Sequence, residues 1–385
     1  MRHFDNLSAD ETSRLFLRTP ESFDSTAEPN MLATALGATL YCPGTRTSLA
    51  RDLSRRAAEG VLSFVVCLED SVADGELRQA EHNAIAQLRD LAHEGDLSAM
   101  VFVRVRSASQ IPMLVDRLDG AHSLLTGFVL PKFTEESGSE QLDAVVEAQE
   151  RIGRRLFAMP VLEAPEMIFA ESRIDALTST RQLLDKYRDN VLAVRVGATD
   201  LASAYGLRRS RDLTTYDVRV IADAISDIVN VFGRADGGYV VTGPVWEYFA
   251  QAERMFKPQL RTTPFVEHAE RTLRARLIAN DLDGLIREIA LDRANGLLGK
   301  SVIHPSHVAP VHALSVVTHE EYLDATDVLS AGSTGGAAAS PYGNKMNESK
   351  PHLAWAERTV LRSRAFGVAA EDVSFVDLLG ACLSS

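Results

Sequence analysis

The segment LSFVVCLEDSVADGELRQAEHNAIAQLRDLAHEGDLSAMVFVRV, residues 62–105, decides the fold. It opens on a near-continuous apolar run, Leu62–Leu68, and closes on another, Met100–Val105. Between them lies the longer, charge-rich stretch Glu76–Glu94, with helical spacing of its apolar residues. Short apolar runs without polar alternation fit strands buried on both faces. A strand, a helix of this length and a second strand form a parallel βαβ unit.

The same alternation continues in both directions. Candidate strands are Thr39–Cys42, Leu62–Leu68, Met100–Val105, Gly127–Leu130, Leu156–Leu162, Val191–Val196, Tyr239–Val241 and Ser301–Ile303. Candidate helices are Leu49–Glu59, Glu76–Glu94, Gln110–Ala121, Glu140–Ile152, Phe169–Tyr187 and Tyr216–Phe232. This α/β pattern predicts a closed (β/α)8 TIM barrel. The rival doubly wound sheet lacks a GxGxxG after the first strand. Residues 1–36 read as a polar N-terminal arm and 37–316 as the barrel. An insertion near 244–284 is helical around Phe265–Ala279 and is followed by a last barrel helix near Leu285–Ala294. Residues 317–385 read as a helical extension: Thr318–Ser330, the loop AGSTGGAAASPYGN, and the helix His352–Phe366.

Composition narrows the classes. Hydrophobic residues make up 45% and charged residues 24% of 385, which excludes wholesale disorder. A net charge of −13 disfavours nucleic acid and anionic membranes as partners. The three cysteines, Cys42, Cys67 and Cys382, form no CxxC pair, which argues against a disulfide framework or a zinc site. No apolar stretch is long enough to span a bilayer, and residues 1–16 carry no secretory pattern. The expectation is a cytoplasmic protein.

In a barrel of this kind the active site lies at the C-terminal ends of the strands. Those ends carry Arg46, Glu69-Asp70, Arg104, Pro131-Lys132, Glu163-Ala164-Pro165, Asp200 and His304. Neighbouring strands lie about 4.8 Å apart, so Glu163 and Asp200 can reach one ion. Mg²⁺ takes one or two protein carboxylates and completes its shell with water and substrate. The plainer alternatives are that Asp200 caps a helix and Glu163 makes an ion pair. Arg104 sits in an apolar strand, where a charge needs a partner. Either a substrate or Glu69 and Asp70 can supply one. Lys132 offers positive charge or pairs with Glu163. His304 reads as a hydrogen-bonded structural histidine.

These ends carry a resemblance. YCPGTR resembles the PGxR turn, VCLEDSV the DLEDxV segment, VFVRVRS the VRxN strand and LPKF the PK turn of the citrate lyase β-subunit-like proteins. VLEAPE resembles their ETPE motif, VGATDLA their GxxDL motif and GKSVIHPSHV their GKxxIHP segment. These belong to the HpcH/HpaI aldolase/citrate lyase superfamily, and the match is best to its divergent TIM-barrel carbon–carbon bond lyase branch. Seven motifs in register run from about Thr39 to Phe366. Cys67, Ala164 and Ser107 stand where the family has Asp, Thr and Asn.

The resemblance implies a Mg²⁺- or Mn²⁺-dependent carbon–carbon bond lyase, or a condensing enzyme running the reverse. Glu163 and Asp200 would hold the metal. Arg104, Glu69, Asp70 and Lys132 would serve catalysis, with Arg46, Arg104 and Pro165 binding substrate. The substrate would be a small anionic 3-hydroxy acid or a CoA thioester of one. The alternatives are a thioester hydrolase on the same site and a barrel binding a different phosphorylated ligand. Family habit implies a homo-oligomer, trimer or hexamer. In the family a loop beyond the barrel closes over a site with an Asp in a DGxMxD-like stretch. Here that stretch is residues 341–348, with Tyr342 or Asn347 in place of the acid and Glu348 the nearest carboxylate. It is expected to cover a site, its own or a neighbour's.

Overall fold

The computed structural model describes residues 1–95, 97–249, 273, 282–332 and 335–383. Eight parallel strands follow one another around a barrel. They are β1 (Ala38–Pro43), β2 (Ser63–Cys67), β3 (Met100–Arg104), β4 (Leu125–Leu130), β5 (Phe157–Leu162), β6 (Val194–Val196), β7 (Val241–Thr242) and β8 (Lys300–Val302). β8 pairs with β1, and a bridge from Gly243 to Lys300 brings β7 to β8. A helix follows each strand: α1 (Leu49–Ala58), α2 (Leu77–Glu94), α3 (Gln110–Arg117), α4 (Glu135–Ile152), α5 (Arg173–Lys186), α6 (Arg219–Phe232), α7 (Leu282–Ala294) and α8 (Val308–Ser315). The TIM-barrel reading therefore holds.

The strands form because their side chains fill the barrel on one face and meet helices on the other. Phe64, Val65 and Val66 are all fully buried. Gly127 is needed for the β4–β5 approach, since a Cβ there would lie 1.9 Å from the Phe157 carbonyl oxygen. α4 starts five residues earlier than its apolar pattern suggests. Thr134 and Ser137 form a capping box that satisfies the first-turn amides. Strand seven begins later than expected, because the Tyr239 N–H donates to Phe232 at the end of α6 (2.7 Å). The Phe265–Ala279 insertion lies outside the described residues, apart from Leu273, which is helical and buried. No helix among the described residues is long and apolar enough to cross a membrane.

The N-terminal residues are packed. Leu15, Phe16, Met31 and Leu32 join the main core, and Phe16–Arg18 pairs antiparallel with Val368–Ala369. Beyond the barrel come α9 (His319–Ala331), α10 (Ser349–Phe366) and α11 (Phe375–Cys382). The Gly/Ala-rich stretch forms an antiparallel hairpin, Ala337–Ala339 against Met346–Glu348. Lys345 anchors it to Asp324 of α9 (2.7 Å), and Asn347 donates to the same carboxylate (3.2 Å).

His3, His312 and Phe366 meet in the core and join the N-terminal segment, α8 and α10; the His3 ring stacks on Phe366 at 4.3 Å. Burial pushes His3 and His307 down to about 4 and holds His312 well below its usual value. The unfolded chain then binds protons between about pH 6.5 and pH 4 that the folded chain refuses. The share of the stability that rests on these histidines is complete above pH 6.5 and falls as the pH drops through that window. The loss should reach about 3 kcal/mol for each of His3 and His307. Denaturant titrations at pH 7, 5.5 and 4.5 check this, and His3→Leu should flatten the profile. A His3→Leu profile with the same slope as wild type between pH 6.5 and 4.5 would refute it.

Candidate active site

The strand ends on one face of the barrel converge on a single ion network. Arg104 ends β3, and its guanidinium reaches Glu69 (2.8 Å), Asp70 (3.3 Å) and Glu163 (3.0 Å). Lys132, just past β4, reaches Glu69 (2.5 Å), Asp70 (3.3 Å) and Asp200 (3.8 Å) through its ammonium. Its backbone N–H donates to Glu163 Oε1 (2.9 Å). Lys132 has φ +47°, a left-handed conformation that a non-glycine residue adopts at a cost. That turn lets one residue contact Glu163 through its backbone and Glu69 through its side chain. The ammonium thus pairs with Glu69 and Asp70 rather than with Glu163.

Glu163 follows β5 and is buried, while Asp200 lies in the first turn of the short helix Ala198–Ser203 after β6. Gly197 lies between them. A Cβ there would sit 2.2 Å from Glu163 Oε2, so only glycine leaves room for that carboxylate. Burial pushes Glu163 up to about 7; Arg104 opposes the rise and the Asp200 charge adds to it. Burial and the Asp70 hydrogen bond also raise Glu69, against Arg104 and Lys132. Burial works against the charge on Asp70 as well, but its bond with Glu69 and the two cations hold it below the usual range. Arg104 and Lys132 rise above their usual values, because their carboxylate partners outweigh burial.

The other sequence candidates lie apart from this network. Arg46 is half exposed and pairs with Asp52 of α1 (2.5 Å). Pro165 is exposed and opens a 3-10 turn after Glu163. His304 is half-buried, with its Nδ1 against Ser306 Oγ (2.8 Å) and its ring stacked on Phe249 (4.8 Å). Burial and the Arg56 charge lower its pKa. The hairpin lies away from its own barrel mouth in this structure. Arg293, at the end of α7, pairs with Glu321 of α9, and α10 Arg358 donates to the carbonyls of Gly233 and Arg234 past α6. Both helix ends lie at the opposite end of the barrel from the ion network, and the hairpin is fastened there.

Arg106 stands with Arg104 at the end of strand three in the sequence, but the sequence reading gave it no role. It donates to the carbonyls of Leu68 (2.9 Å), Glu69 (3.3 Å) and Val72 and pairs with Asp74 (2.5 Å), holding the Glu69–Asp74 loop in place. An arginine two residues beyond Arg104, on the same strand face by period, was the available signal. Beside Glu69, Asp70 and Lys132 a cavity of about 660 Å³ opens toward Arg106, Ser137 and Gln141.

Glu163 and Asp200 suit a hard divalent cation. Among the described residues no group of three or more His, Cys, Asp or Glu could enclose a metal. An ion held by two carboxylates and otherwise by water and substrate is the habit of Mg²⁺. Gly197 leaves room for the Glu163 carboxylate itself. Burial, with the Asp200 charge adding to it, disfavours the charged form of Glu163, and a divalent ion between the two carboxylates would offset both.

Comparison with known proteins agrees with the fold. The family model described as C-C_Bond_Lyase of the TIM-Barrel fold matches residues 30–368. A citrate lyase from Burkholderia xenovorans LB400 superposes with a TM-score of 0.60 at 16% identity, covering 89% of this chain and 96% of that one. CitE from Mycobacterium tuberculosis, solved with magnesium, acetoacetate and coenzyme A, gives 0.50 at 21% identity, covering 86% of this chain and 99% of that one. Haloferax volcanii malate synthase, in its complex with pyruvate and acetyl-CoA, gives 0.50 at 13% identity, covering 84% and 89%. No curated relative matches the chain.

Proposed function

We propose a substrate and a division of labour for this chain, which belongs to the carbon–carbon bond lyases of the TIM-barrel fold. It cleaves, or forms in reverse, the bond between a hydroxyl-bearing carbon and a carbon next to a carbonyl. The substrate is a small anionic 3-hydroxy acid or its CoA thioester. Glu163 and Asp200 hold Mg²⁺ or Mn²⁺.

The charge balance at the strand ends carries this reading. When all four are ionised, Glu69, Asp70, Glu163 and Asp200 outnumber Arg104 and Lys132, the cations that meet them among the described residues, by two negative charges. That excess equals one divalent cation. When bound, the cation supplies Lewis acidity to substrate oxygens. Arg104 presents a fixed guanidinium where enolate charge develops, oriented by Glu69 and Glu163 before substrate arrives. Lys132 and Arg106 hold Glu69 and Asp70 in place, so these carboxylates are set to receive or return a proton. The magnesium, acetoacetate and coenzyme A bound by CitE from M. tuberculosis support this choice of ligands. In a trimer or hexamer the hairpin would serve the mouth of another copy.

The test is metal removal. Protein stripped with EDTA should lose turnover of 3-hydroxyacyl-CoA thioesters or free 3-hydroxy acids and regain it with MgCl₂. The products should be a carbonyl fragment and a shortened acyl product. Turnover indifferent to chelation, or release of free CoA without carbon–carbon cleavage, would sink the reading.

A further inference from the structure

Three cations are buried among the described residues: Lys300, Arg362 and Arg195. Lys300 meets Glu288 (2.9 Å) and Asp292 (2.6 Å), and Arg362 meets Glu321 (2.9 Å). Arg195 of β6 is different. It is 1% exposed and has no carboxylate within 4.0 Å among the described residues. Its Nη2 donates to Ser301 Oγ (2.6 Å), and its Nη1 donates to Thr39 Oγ1 (3.5 Å) and faces Met159 Sδ (3.7 Å). Its Nε is buried with no acceptor. Hydroxyls orient a guanidinium but do not neutralise it, and an uncompensated buried charge is costly.

Its position gives the charge a use. Arg195 stands opposite Val161 in the β5–β6 register, and Gly197, two residues on, lies against Glu163. Residues two apart share a strand face, so Arg195 lies one pleat below Glu163, about 7 Å along the barrel. The Tyr41 ring covers the guanidinium at 5.6 Å, and Tyr41 is itself half-buried near Arg104.

We propose that Arg195 is a positioning residue for charge, a buried cation beneath the site that reserves room for an anionic reacting fragment. This rests on the reading of Glu163 and Asp200 as the cation's ligands. Those two residues and their neighbours balance a divalent cation by themselves. Arg195 then leaves the loaded site with one surplus positive charge. A carboxylate or enolate neutralises that surplus, whereas an uncharged carbonyl compound does not. The unpaired charge costs stability in the empty protein and returns it as selectivity for anions.

The two ligands should therefore respond with opposite signs to loss of the charge. Calorimetry of Arg195→Met should show MgCl₂ binding a few-fold tighter than wild type, and pyruvate at saturating Mg²⁺ binding roughly tenfold weaker. Its melting temperature should equal or exceed that of wild type, since replacing an uncompensated charge by an apolar chain removes a cost. Arg195→Lys, which keeps the charge, should stay near wild type for both ligands. Should Arg195→Met fail to fold, Arg195→Gln retains donors for Ser301 and Thr39 and carries the same expectation. Neutral variants that shift neither ligand, or both in one direction, overturn the inference. Wild-type protein that fails to bind Mg²⁺ overturns the reading of Glu163 and Asp200, and the inference with it.

Discussion

Glu163→Gln should lower turnover about a thousandfold and weaken Mg²⁺ binding at least a hundredfold, with the barrel still folded. The substitution removes one of the two carboxylates that face the candidate cation. The amide keeps the side-chain shape, and its oxygen can still accept from the Lys132 N–H at 2.9 Å and from Arg104 at 3.0 Å. The loss therefore falls on charge rather than on packing. Burial already pushes the native carboxyl up to about 7, so the neutral amide should not destabilise the metal-free protein. Gly197→Ala approaches the same site from the backbone, since its Cβ would stand 2.2 Å from Glu163 Oε2 and displace the carboxylate with no change of charge. Calorimetric Mg²⁺ titration and thermal melts of both variants check this. Wild-type metal affinity in Glu163→Gln would remove Glu163 from the metal site.

The barrel was legible because its signal is local. Each strand is a short apolar run, each helix a longer amphipathic one, and both faces of β2 are buried as its pattern demands. The strand ends were legible for the same reason, since a fold with a known active face turns position along the chain into position in space. Partner choice was not legible. Whether the Lys132 ammonium meets Glu163 or Glu69 depends on one left-handed φ, which a lysine does not advertise. That Arg46 pairs with Asp52, one turn into α1, was equally hidden, since nothing in the spacing of the two residues announces the contact. The Gly/Ala-rich stretch looked like an unpaired loop because alanine and glycine have little strand propensity. Its hairpin is held by Lys345 and Asn347 on Asp324, contacts made across more than twenty residues. Arg195 escaped attention because its strand is otherwise apolar and nothing in the sequence shows that its charge finds no carboxylate.

Replacing Arg104 should separate chemistry from binding. Arg104→Met should cost about a thousandfold in kcat/KM, the scale expected when a charge facing a developing oxyanion is lost. It also leaves the buried Glu163 without a side-chain cation and Glu69 with Lys132 alone, so a drop in melting temperature is expected with it. That makes Arg104→Met ambiguous by itself, and Arg104→Lys resolves it. Lysine keeps the positive charge near Glu69 and Glu163 and so preserves most of the stability. It cannot offer the planar, multiply donating face of a guanidinium, and here one Nη2 already serves Glu69, Asp70 and Glu163. If Arg104 meets mainly the transition state, Arg104→Lys should lower kcat tenfold or more while KM moves little. If it meets substrate and transition state alike, KM should rise and kcat should hold. Steady-state kinetics with the substrate found by the metal-dependence assay decide between these. Wild-type kcat in Arg104→Lys would return Arg104 to a purely structural role, as the central cation of a network whose chemistry is done by Lys132.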